Sequence, residues 1–349
     1  MLLEGLEREQ GDVSFTASNT QGDIAMKTRR EEDMSKPPRA IALSVCVCTA
    51  NRVEDLVFAL ESLSKLRIPE GRAVELIVVD NASTDATSTV LSAAAAGFPF
   101  PLKTVHEPTR GLSSARNCAL RHARGEVIAW TDDDCVPAED WIECILSHFD
   151  EDPSLALLTG RVELYDRSHY PISINTSLEP AILDKANPWV LGANMAFRRH
   201  LIECIGLYDP RFGAGAPLRA GEDVDFAFRL LRAGYRAAYT PDVLVYHNHK
   251  RVTHDQVMRL RRNYIHAEGA LLMKYVVARD GTAARQFYWR LCHSVNRVLH
   301  PPAWLLTRMD SATLLVEFLA GALAYVGFAL RVSPMLASDR DSRRQMSAP

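Results

Sequence analysis

Three consecutive carboxylates, Asp132, Asp133 and Asp134, are the strongest sign of chemistry in this 349-residue chain. They follow residues 126–130, an apolar, β-branched and aromatic run that is typical of a buried strand. Clustered charges cannot be buried unpaired, so we expect them at the C-terminal end of that strand, where open α/β sheets bind ligands. Carboxylate oxygens suit Mg²⁺ or Mn²⁺, which they commonly bridge to phosphates. A helix start would explain one Asp as an N-cap, but not three.

A second acidic group, Glu222, Asp223 and Asp225, begins a predicted helix. The helix dipole favours acids at this position, so the pattern alone fits a structural role as well as a catalytic one. The Gly/Pro-rich loop before it, residues 207–217, is predicted to be a mobile lid. If the fold brings the two acidic groups together, they form one site.

Alternating strands and helices must position these residues. The predicted strands end in acidic or hydroxyl residues or in polar loops, and helical patterns follow them; the strands span residues 41–47, 74–80, 102–106 and 126–130. This alternation implies a parallel sheet with right-handed crossovers. After Pro153 the pattern changes, and strands are predicted at Leu155–Leu164 and Val190–Phe197.

Bulk properties narrow the class of protein. A net charge of −3 gives no general attraction to nucleic acid. The seven cysteines are odd in number and scattered, which predicts reduced thiols in a cytosolic compartment and neither a zinc site nor disulfides. Residues 1–38 contain no apolar segment of a secretion signal and are predicted to be a disordered tail.

The C-terminal part differs from the rest. Residues 250–300 are rich in Lys and Arg, and residues 314–330 are apolar except for Glu317. Spanning a bilayer takes roughly 20 apolar residues. We therefore expect this shorter segment to pack on the domain or lie at a membrane surface. The predicted organisation is a tail (1–38), a catalytic domain (39–250), a helical extension (251–335) and a second tail (336–349).

Five segments, in order, resemble the sequence blocks of the family 2 glycosyltransferases; they are residues 44–52, 78–85, 110–117, 131–137 and 221–234. The fourth resembles the DxD block of that family, and the fifth resembles its Glu-Asp block, with Arg229 and Gly234 following. Each block alone is weak evidence, but five in order are strong. The resemblance implies an α/β GT-A fold, a Rossmann-like and mostly parallel sheet flanked by helices, with a helical C-terminal extension.

The resemblance also implies roles for residues that follow the early strands. Asp80 would accept a hydrogen bond from uracil N3–H, although the same carboxylate would also pair with guanine N1–H. Thr49, Asn51 and Arg52 would line the nucleotide pocket. Arg116 would contact the base or the phosphate, which accounts for a cation near a helix start, where the dipole disfavours it.

The aspartate cluster would bind both the ribose and the metal. The resemblance implies that Asp132 or Asp133 touches the ribose and that Asp134 holds the metal. Three consecutive aspartates leave this register open by one position, so Asp132 is a second candidate ligand. His247 stands where some relatives place a third metal ligand, as does His249. Both also fit the reading of polar residues at a strand end.

Asp223 corresponds to the general base of the family, with Glu222 beside it. One carboxylate takes the proton of the acceptor hydroxyl while that oxygen attacks C1, and the metal offsets charge on the leaving diphosphate. In-line attack of this kind inverts the anomeric centre. The resemblance therefore implies a metal-dependent, inverting glycosyltransferase that uses a nucleotide-diphosphate sugar, with a UDP-sugar favoured.

The acceptor is the least determined part. Residues 165–190 and those after 250 follow no family pattern. By analogy with the family we expect a glycan or lipid-linked acceptor of the cell envelope, and a cytoplasmic enzyme, peripheral at the inner face of the cell membrane if the C-terminal region binds it. One alternative, a sugar nucleotidyltransferase, would need a Gly-rich phosphate loop with a Lys where residues 48–52 have neither. Another, an inactive nucleotide-sugar-binding module, would have lost acidic residues that are present here.

Overall fold

The computed structural model describes residues 40–186, 188–300 and 308–345. The tail predicted over residues 1–38 lies outside the described residues. Up to residue 151, strands alternate with helices as the sequence predicted. In chain order these elements are β1 (Ile41–Thr49), α1 (Val53–Leu63), β2 (Ala73–Asp80), α2 (Thr87–Gly97), β3 (Leu102–His106), α3 (Leu112–His122), β4 (Val127–Trp130), β5 (Cys135–Pro137) and α4 (Trp141–Glu151).

The second part of the chain adds strands first and then long helices. Its elements are β6 (Leu155–Leu164), β7 (Ala181–Leu183), a 3₁₀ turn (Gly192–Asn194), β8 (Met195–Arg198), α5 (Leu201–Ile205), α6 (Glu222–Arg232), β9 (Arg236–His247), α7 (His254–Val277), α8 (Gly281–Leu299) and α9 (Arg308–Gln345). Helix α9 thus continues into the segment that was predicted to be a disordered tail from residue 336. Between residues 335 and 345 the sequence contains neither Gly nor Pro and includes Arg and Gln, which favour a helix.

A mixed sheet of nine strands organises the fold among the described residues. Its order is β3-β2-β1-β4-β8-β6-β9-β5, and β7 pairs with β9. Strands β1 to β4 are parallel to their neighbours among themselves, whereas β8 runs antiparallel to both β4 and β6. Because parallel strands end at the same edge, the loops after Thr49, Asp80 and Trp130 meet there.

Helices cover both faces of the sheet. On one face α1 and α4 pack against the strands, and Leu56, Leu60 and Leu63 of α1 are buried there. On the other face α3 and α6 pack, with Ala115 and Phe226 in the core. The sheet is therefore rigid beneath the edge where the loops meet.

The strand predicted at Val190–Phe197 is only partly present. Residues Gly192–Asn194 form a 3₁₀ turn, and the strand begins at Met195. The cause is the buried Asn194. Its amide donates to the carbonyl oxygens of Arg161 (2.9 Å) and Val243 (2.8 Å), and its Oδ1 accepts from Trp141 Nε1 at 2.9 Å. These bonds favour a turn over a regular β-ladder, because the turn places the Asn194 side chain among three elements.

Helices α7 and α9 cross closely because each has a glycine at the contact. A Cβ on Gly321 would lie 1.8 Å from the carbonyl oxygen of His266, and one on Gly269 would lie 2.0 Å from that of Phe318. Beside the crossing, Glu317 Oε2 is 2.9 Å from Arg219 Nη1 and 3.2 Å from His266 Nδ1. The acid that interrupts the apolar segment is therefore paired within the protein.

Residues Asp310–Arg331 of α9 are long and apolar enough to cross a membrane by length and composition. A core helix of a soluble protein can pass the same test, and 28% of the most apolar stretch is buried here. Leu314 and Phe318 are buried, whereas Leu323 and Leu330 are exposed. The helix thus has one face packed on the protein and apolar side chains left on its surface.

The glycine contact gives a prediction for stability. We expect Gly321→Ala to lower the free energy of unfolding by about 1–3 kcal/mol, because the added methyl group forces the helices apart. Gly327→Ala is the control, since a Cβ there meets nothing within 4 Å; it should stabilise α9 by about 0.5–1 kcal/mol. Denaturant unfolding measures both variants, and equal effects would contradict this account of the crossing.

Candidate active site

A cleft of about 800 Å³ opens at the carboxyl ends of β1 and β4. It receives side chains from the loops after those strands, from α3, from the start of α6 and from the end of β9. The polar and ionisable side chains that line it include those of Thr49, Arg52, Asn81, Arg116, Asp132, Asp133, Asp134, Glu222, Asp223 and His247. The two acidic groups that the sequence singled out, far apart in the chain, therefore line one cleft, except for Asp225, which is buried and bonds Arg229, Lys274 and Tyr275.

Strand pairing positions Asp134 beside His247. Strands β5 and β9 are antiparallel, with Cys135 opposite His247, so the residue before Cys135 reaches the imidazole. His247 Nε2 lies 3.3 Å from Asp134 Oδ1. Arg52 donates from Nη2 to Asp134 Oδ2 at 2.9 Å and from Nη1 to Asp133 Oδ1 at 2.8 Å. One guanidinium thus bridges two buried carboxylates.

The environment moves the pKa values of these groups in different directions. Burial opposes ionisation of Asp134, but its hydrogen bond to His247 and the charges of His247 and Arg52 hold its pKa well below the usual range. Burial raises the pKa of Asp133 to about 7, although Arg52 opposes this. The pKa of His247 is raised, because the bond to Asp134 outweighs burial. Of the two aspartates that Arg52 bridges, Asp134 therefore has the lower pKa.

Three described residues, Asp134, Cys135 and His247, offer ligand atoms within 4.8 Å of one another. Carboxylate oxygen suits Mg²⁺ and Mn²⁺, and neutral imidazole is a common ligand of divalent transition metals. Burial raises the pKa of the Cys135 thiol well above its ordinary value, which disfavours the thiolate that would bind a metal. The donor set fits a divalent metal held by Asp134 and His247. Asp132, predicted as another ligand, lies outside this group, with Oδ1 3.7 Å from Arg116 Nη2.

His249 forms hydrogen bonds with backbone groups. Its Nδ1 accepts from the N–H of Arg251 at 3.0 Å, so Nε2 carries the proton and donates to the carbonyl of Tyr170 at 3.1 Å. Burial, together with the charges of His247 and Arg251, lowers the pKa of His249 to about 4. A neutral imidazole that forms two hydrogen bonds with the backbone fits the interpretation of a polar residue at a strand end. His247 therefore remains the candidate metal ligand.

Arg116 lies buried at the centre of the site, 5.4 Å from the ring centroid of Trp130 and 5.6 Å from that of Tyr208. Its Nη1 donates to Glu222 Oε1 at 2.9 Å. A Cβ on Gly192 would lie 2.3 Å from Nη2, so only glycine lets the backbone approach this guanidinium. Burial raises the pKa of Glu222 to about 7, against the charge of Arg116.

Asp223 is held by backbone groups. Its Oδ2 accepts from the N–H of Gly192 and its Oδ1 from the N–H of Val224, both at 2.8 Å. Each oxygen keeps a further lone pair. Glu222, in contrast, is committed to Arg116. Of the two adjacent acids, Asp223 is thus the one placed to accept a proton from a bound molecule.

The predicted nucleotide-binding residues divide into two groups. Thr49 and Arg52 line the cleft, whereas Asn51 and Asp80 do not. Asn51 has a φ of 55°, and its Oδ1 accepts from the N–H of Thr84 at 2.7 Å, so it joins two loops. Asp80 is buried, and its Oδ1 accepts from the N–H of Ser83 at 3.0 Å. These two residues shape the side of the cleft.

Asn81 is a buried connector that the sequence analysis missed. Its Nδ2 donates to the carbonyls of Glu107 (3.1 Å) and Thr109 (2.7 Å), and its Oδ1 accepts from the N–H of Gly111 at 2.9 Å. These bonds tie the loop after β2 to the loop after β3. The available signal was its position next to Asp80 at the strand end.

The predicted lid, residues 207–217, forms a wall of the cleft and is tied to α3. Ser113 Oγ donates to the carbonyl of Phe212 at 2.7 Å, and Leu112 N–H donates to that of Ala214 at 2.9 Å. Ala214, Gly215 and Ala216 face the cavity. The mobility of the loop stays a prediction.

Family models match most of the described domain. The model described as glycosyl transferase family 2 matches residues 44–206, and the one described as glycosyl transferase family group 2 matches residues 127–335. The pre-mycofactocin glycosyltransferase of Mycobacterium tuberculosis is 29% identical over 54% of this chain and 40% of its own length. The succinoglycan biosynthesis protein ExoM of Rhizobium meliloti is 28% identical over 60% of this chain and 68% of its own length.

Two solved structures show the fold. A mannosyltransferase from Pyrobaculum calidifontis, in complex with GDP-Man and Mn²⁺, has a TM-score of 0.57 and 22% identity and covers 87% of this chain and 94% of its own. Residues 1–349 of TarS from S. aureus, in complex with UDP-GlcNAc, have a TM-score of 0.58 and 19% identity and cover 81% of this chain and 82% of their own. The predicted GT-A fold is thereby confirmed.

The geometry predicts which histidine binds metal. We expect His247→Ala to weaken Mn²⁺ binding by more than about tenfold, since loss of an outer-shell partner alone costs roughly 10–100-fold, and Asp134→Ala to abolish it. His249→Ala is the matched control and should keep the wild-type Mn²⁺ affinity. Isothermal titration with Mn²⁺ in the presence of UDP measures all three. Wild-type affinity in His247→Ala would refute the assignment.

Proposed function

Because this chain belongs to the family 2 glycosyltransferases, we propose that it is a metal-dependent, inverting glycosyltransferase. It transfers a sugar from a nucleotide-diphosphate sugar to an acceptor hydroxyl. One observation carries the proposal: the cleft combines a cation-compensated aspartate cluster with a separate carboxylate, Asp223, which accepts from two backbone N–H groups and forms no salt bridge with any described residue. The first suits a diphosphate and its metal, and the second suits a proton acceptor.

Donor binding uses the half of the cleft that contains Arg52, Arg116 and the aspartate cluster. Arg52 and Arg116 supply positive charge toward the diphosphate, and Asp134 with His247 would hold the metal. A bound Mn²⁺ or Mg²⁺ supplies charge stabilisation for the leaving diphosphate. Asp80 does not line the cleft itself but lies next to Asn81, which does, and it would pair through Oδ2, the oxygen that Ser83 leaves free, with an imide N–H of a base bound beside the cleft. This pairing favours a UDP-sugar and also admits a GDP-sugar. Solved neighbours hold UDP-GlcNAc and GDP-Man, in keeping with both.

Proton transfer uses the other half. Asp223, fixed by the N–H groups of Gly192 and Val224, accepts the proton of the acceptor hydroxyl while that oxygen attacks C1 from the side opposite the diphosphate. Glu222 keeps Arg116 in place through their 2.9 Å bond. A single displacement of this kind inverts the anomeric centre.

The C-terminal helices and one relative support a proposal for the acceptor and the location of the enzyme. ExoM is named for succinoglycan biosynthesis, which supports a glycan or lipid-linked acceptor in cell-envelope polysaccharide synthesis. Arg259 and Arg262 of α7 and Arg285 of α8 are exposed, as are apolar side chains of α9. These surfaces support a cytoplasmic protein that is peripheral at the inner face of the cell membrane.

A donor screen tests the proposed activity. The purified protein is incubated with Mn²⁺ and a panel of UDP-, GDP- and TDP-sugars, and release of nucleoside diphosphate is measured with and without acceptors. We expect turnover with a UDP- or GDP-sugar that excess EDTA abolishes. Release of inorganic diphosphate from a sugar phosphate and a nucleoside triphosphate would indicate a nucleotidyltransferase instead. No turnover of any donor would overturn the proposal.

The assignment of Asp223 as the general base predicts the effect of replacing one of its carboxylate oxygens by an amide nitrogen. Asp223→Asn keeps the shape and the backbone hydrogen bonds but removes proton affinity, so kcat should fall by roughly 10²–10⁴-fold. The affinity for the donor should hardly change. Asp166→Asn, at an exposed aspartate outside the cleft, is the control. If Asp223→Asn loses donor binding with kcat preserved, the base lies elsewhere.

Membrane association predicts a charge effect. Full-length protein should sediment with anionic vesicles at low salt and be released in part by high salt. Each basic residue near an anionic surface contributes about 1 kcal/mol, so Arg259→Glu/Arg262→Glu should weaken binding by more than about tenfold. Lys65→Glu/Lys103→Glu, at exposed lysines of the catalytic domain, is the charge-matched control. Protein that stays in the supernatant at low salt would show that these helices are structural only.

A further inference from the structure

A second cavity, of about 410 Å³, adjoins the cleft and shares Asp223 and Tyr264 with it. Sites for small ligands commonly measure roughly 300–1,000 Å³. This cavity lies between the catalytic domain and the C-terminal helices. Its wall is mostly apolar and includes Trp189, Leu191, Phe228, Leu271 and Trp289.

The polar side chains of this wall are already paired, apart from the free lone pairs of Asp223. These pairs are Tyr275 with Asp225 (2.8 Å), Gln286 with the carbonyl of Ala186 (2.8 Å), Arg290 Nη2 with Glu268 (2.8 Å) and Tyr264 with Ser173 (2.8 Å). The cation of the wall, Arg290, is thus neutralised by Glu268. The cavity offers a ligand apolar surface and one carboxylate, and it has no unpaired cation for a phosphate among the described residues that line it.

Two tryptophans show that this cavity is not a closed part of the hydrophobic core. Trp189 and Trp289 are each 57% exposed although both belong to the cavity wall. Large aromatic side chains commonly anchor bound ligands because they bury much apolar area and lose few rotamers. Their exposure leaves apolar surface for a ligand to cover.

We propose that this cavity binds an apolar aglycone of the acceptor, a ring or a hydrocarbon chain attached close to the hydroxyl that receives the sugar. The inference rests on the proposed function, with Asp223 as base. A hydroxyl that bonds Asp223 stands where the two cavities meet, so the sugar donor fills one and the body of the acceptor fills the other. The chemistry of the walls then selects an amphipathic acceptor over a purely hydrophilic glycan.

The first experiment measures binding without turnover. Methyl, octyl and 4-nitrophenyl β-D-glucopyranoside are titrated into the full-length protein while intrinsic tryptophan fluorescence is recorded. We expect the octyl or the nitrophenyl glucoside to bind at least about tenfold more tightly than the methyl glucoside, since burying one large apolar group suffices for that difference. The two apolar probes distinguish a chain from a ring. Equal affinity for all three glucosides overturns the inference.

The second experiment assigns the binding to this cavity. Trp289→Ala should weaken binding of the preferred apolar glucoside by about tenfold or more and leave methyl glucoside unchanged; Trp189 remains as the fluorescent reporter. Tyr288→Ala is the matched control, because Tyr288 is the neighbouring residue of α8, is 70% exposed and lies outside the wall. An equal loss in both variants, or no loss in Trp289→Ala, contradicts the assignment.

A separate readout keeps this inference distinct from the proposed activity. The donor screen depends on the donor cleft, whereas the fluorescence titration contains no nucleotide sugar and depends on the aglycone cavity. Absence of turnover with every donor and acceptor contradicts the proposed function, whereas the fluorescence titration still decides whether the cavity binds apolar aglycones.

Discussion

Two arginines make the cleft possible, because they compensate carboxylates that could not otherwise be buried beside one another. Arg52 bonds Asp133 and Asp134, and Arg116 bonds Glu222. Removing one partner of a buried pair typically costs about 3–5 kcal/mol, since it leaves the other charge unpaired. Arg52 follows β1 and the aspartates follow β4, so the parallel pairing of these two strands is what brings them within reach.

This charge compensation also gives the acidic residues different roles. The cations hold Asp133, Asp134 and Glu222, so those carboxylates shape a site for anions and metal. Among the described residues, Asp223 is held by two backbone N–H groups, and it stands where the cleft meets the apolar cavity. Helices α7 and α8 supply much of the wall of that cavity. The C-terminal extension thus contributes residues to the walls of both cavities.

The sequence predicted the first half of the fold well, because buried parallel strands read as short apolar runs and Leu56, Leu60 and Leu63 mark a helix face. It also placed both acidic groups in one site. The 3₁₀ turn at Gly192–Asn194 escaped prediction, since it depends on three bonds that Asn194 makes to distant elements. The apolar cavity was equally out of reach, because its wall joins segments around residues 190, 224, 270 and 289 that share no local pattern.

The central claim is a single displacement in which Asp223 activates an acceptor bound on the far side of C1 from the diphosphate. The most direct measurement is the anomeric configuration of the product, read by ¹H NMR from the coupling constant of the anomeric proton soon after transfer to octyl glucoside. The account predicts a configuration opposite to that of the nucleotide sugar. A product with the donor's own configuration would contradict the single displacement and the role of Asp223 in it.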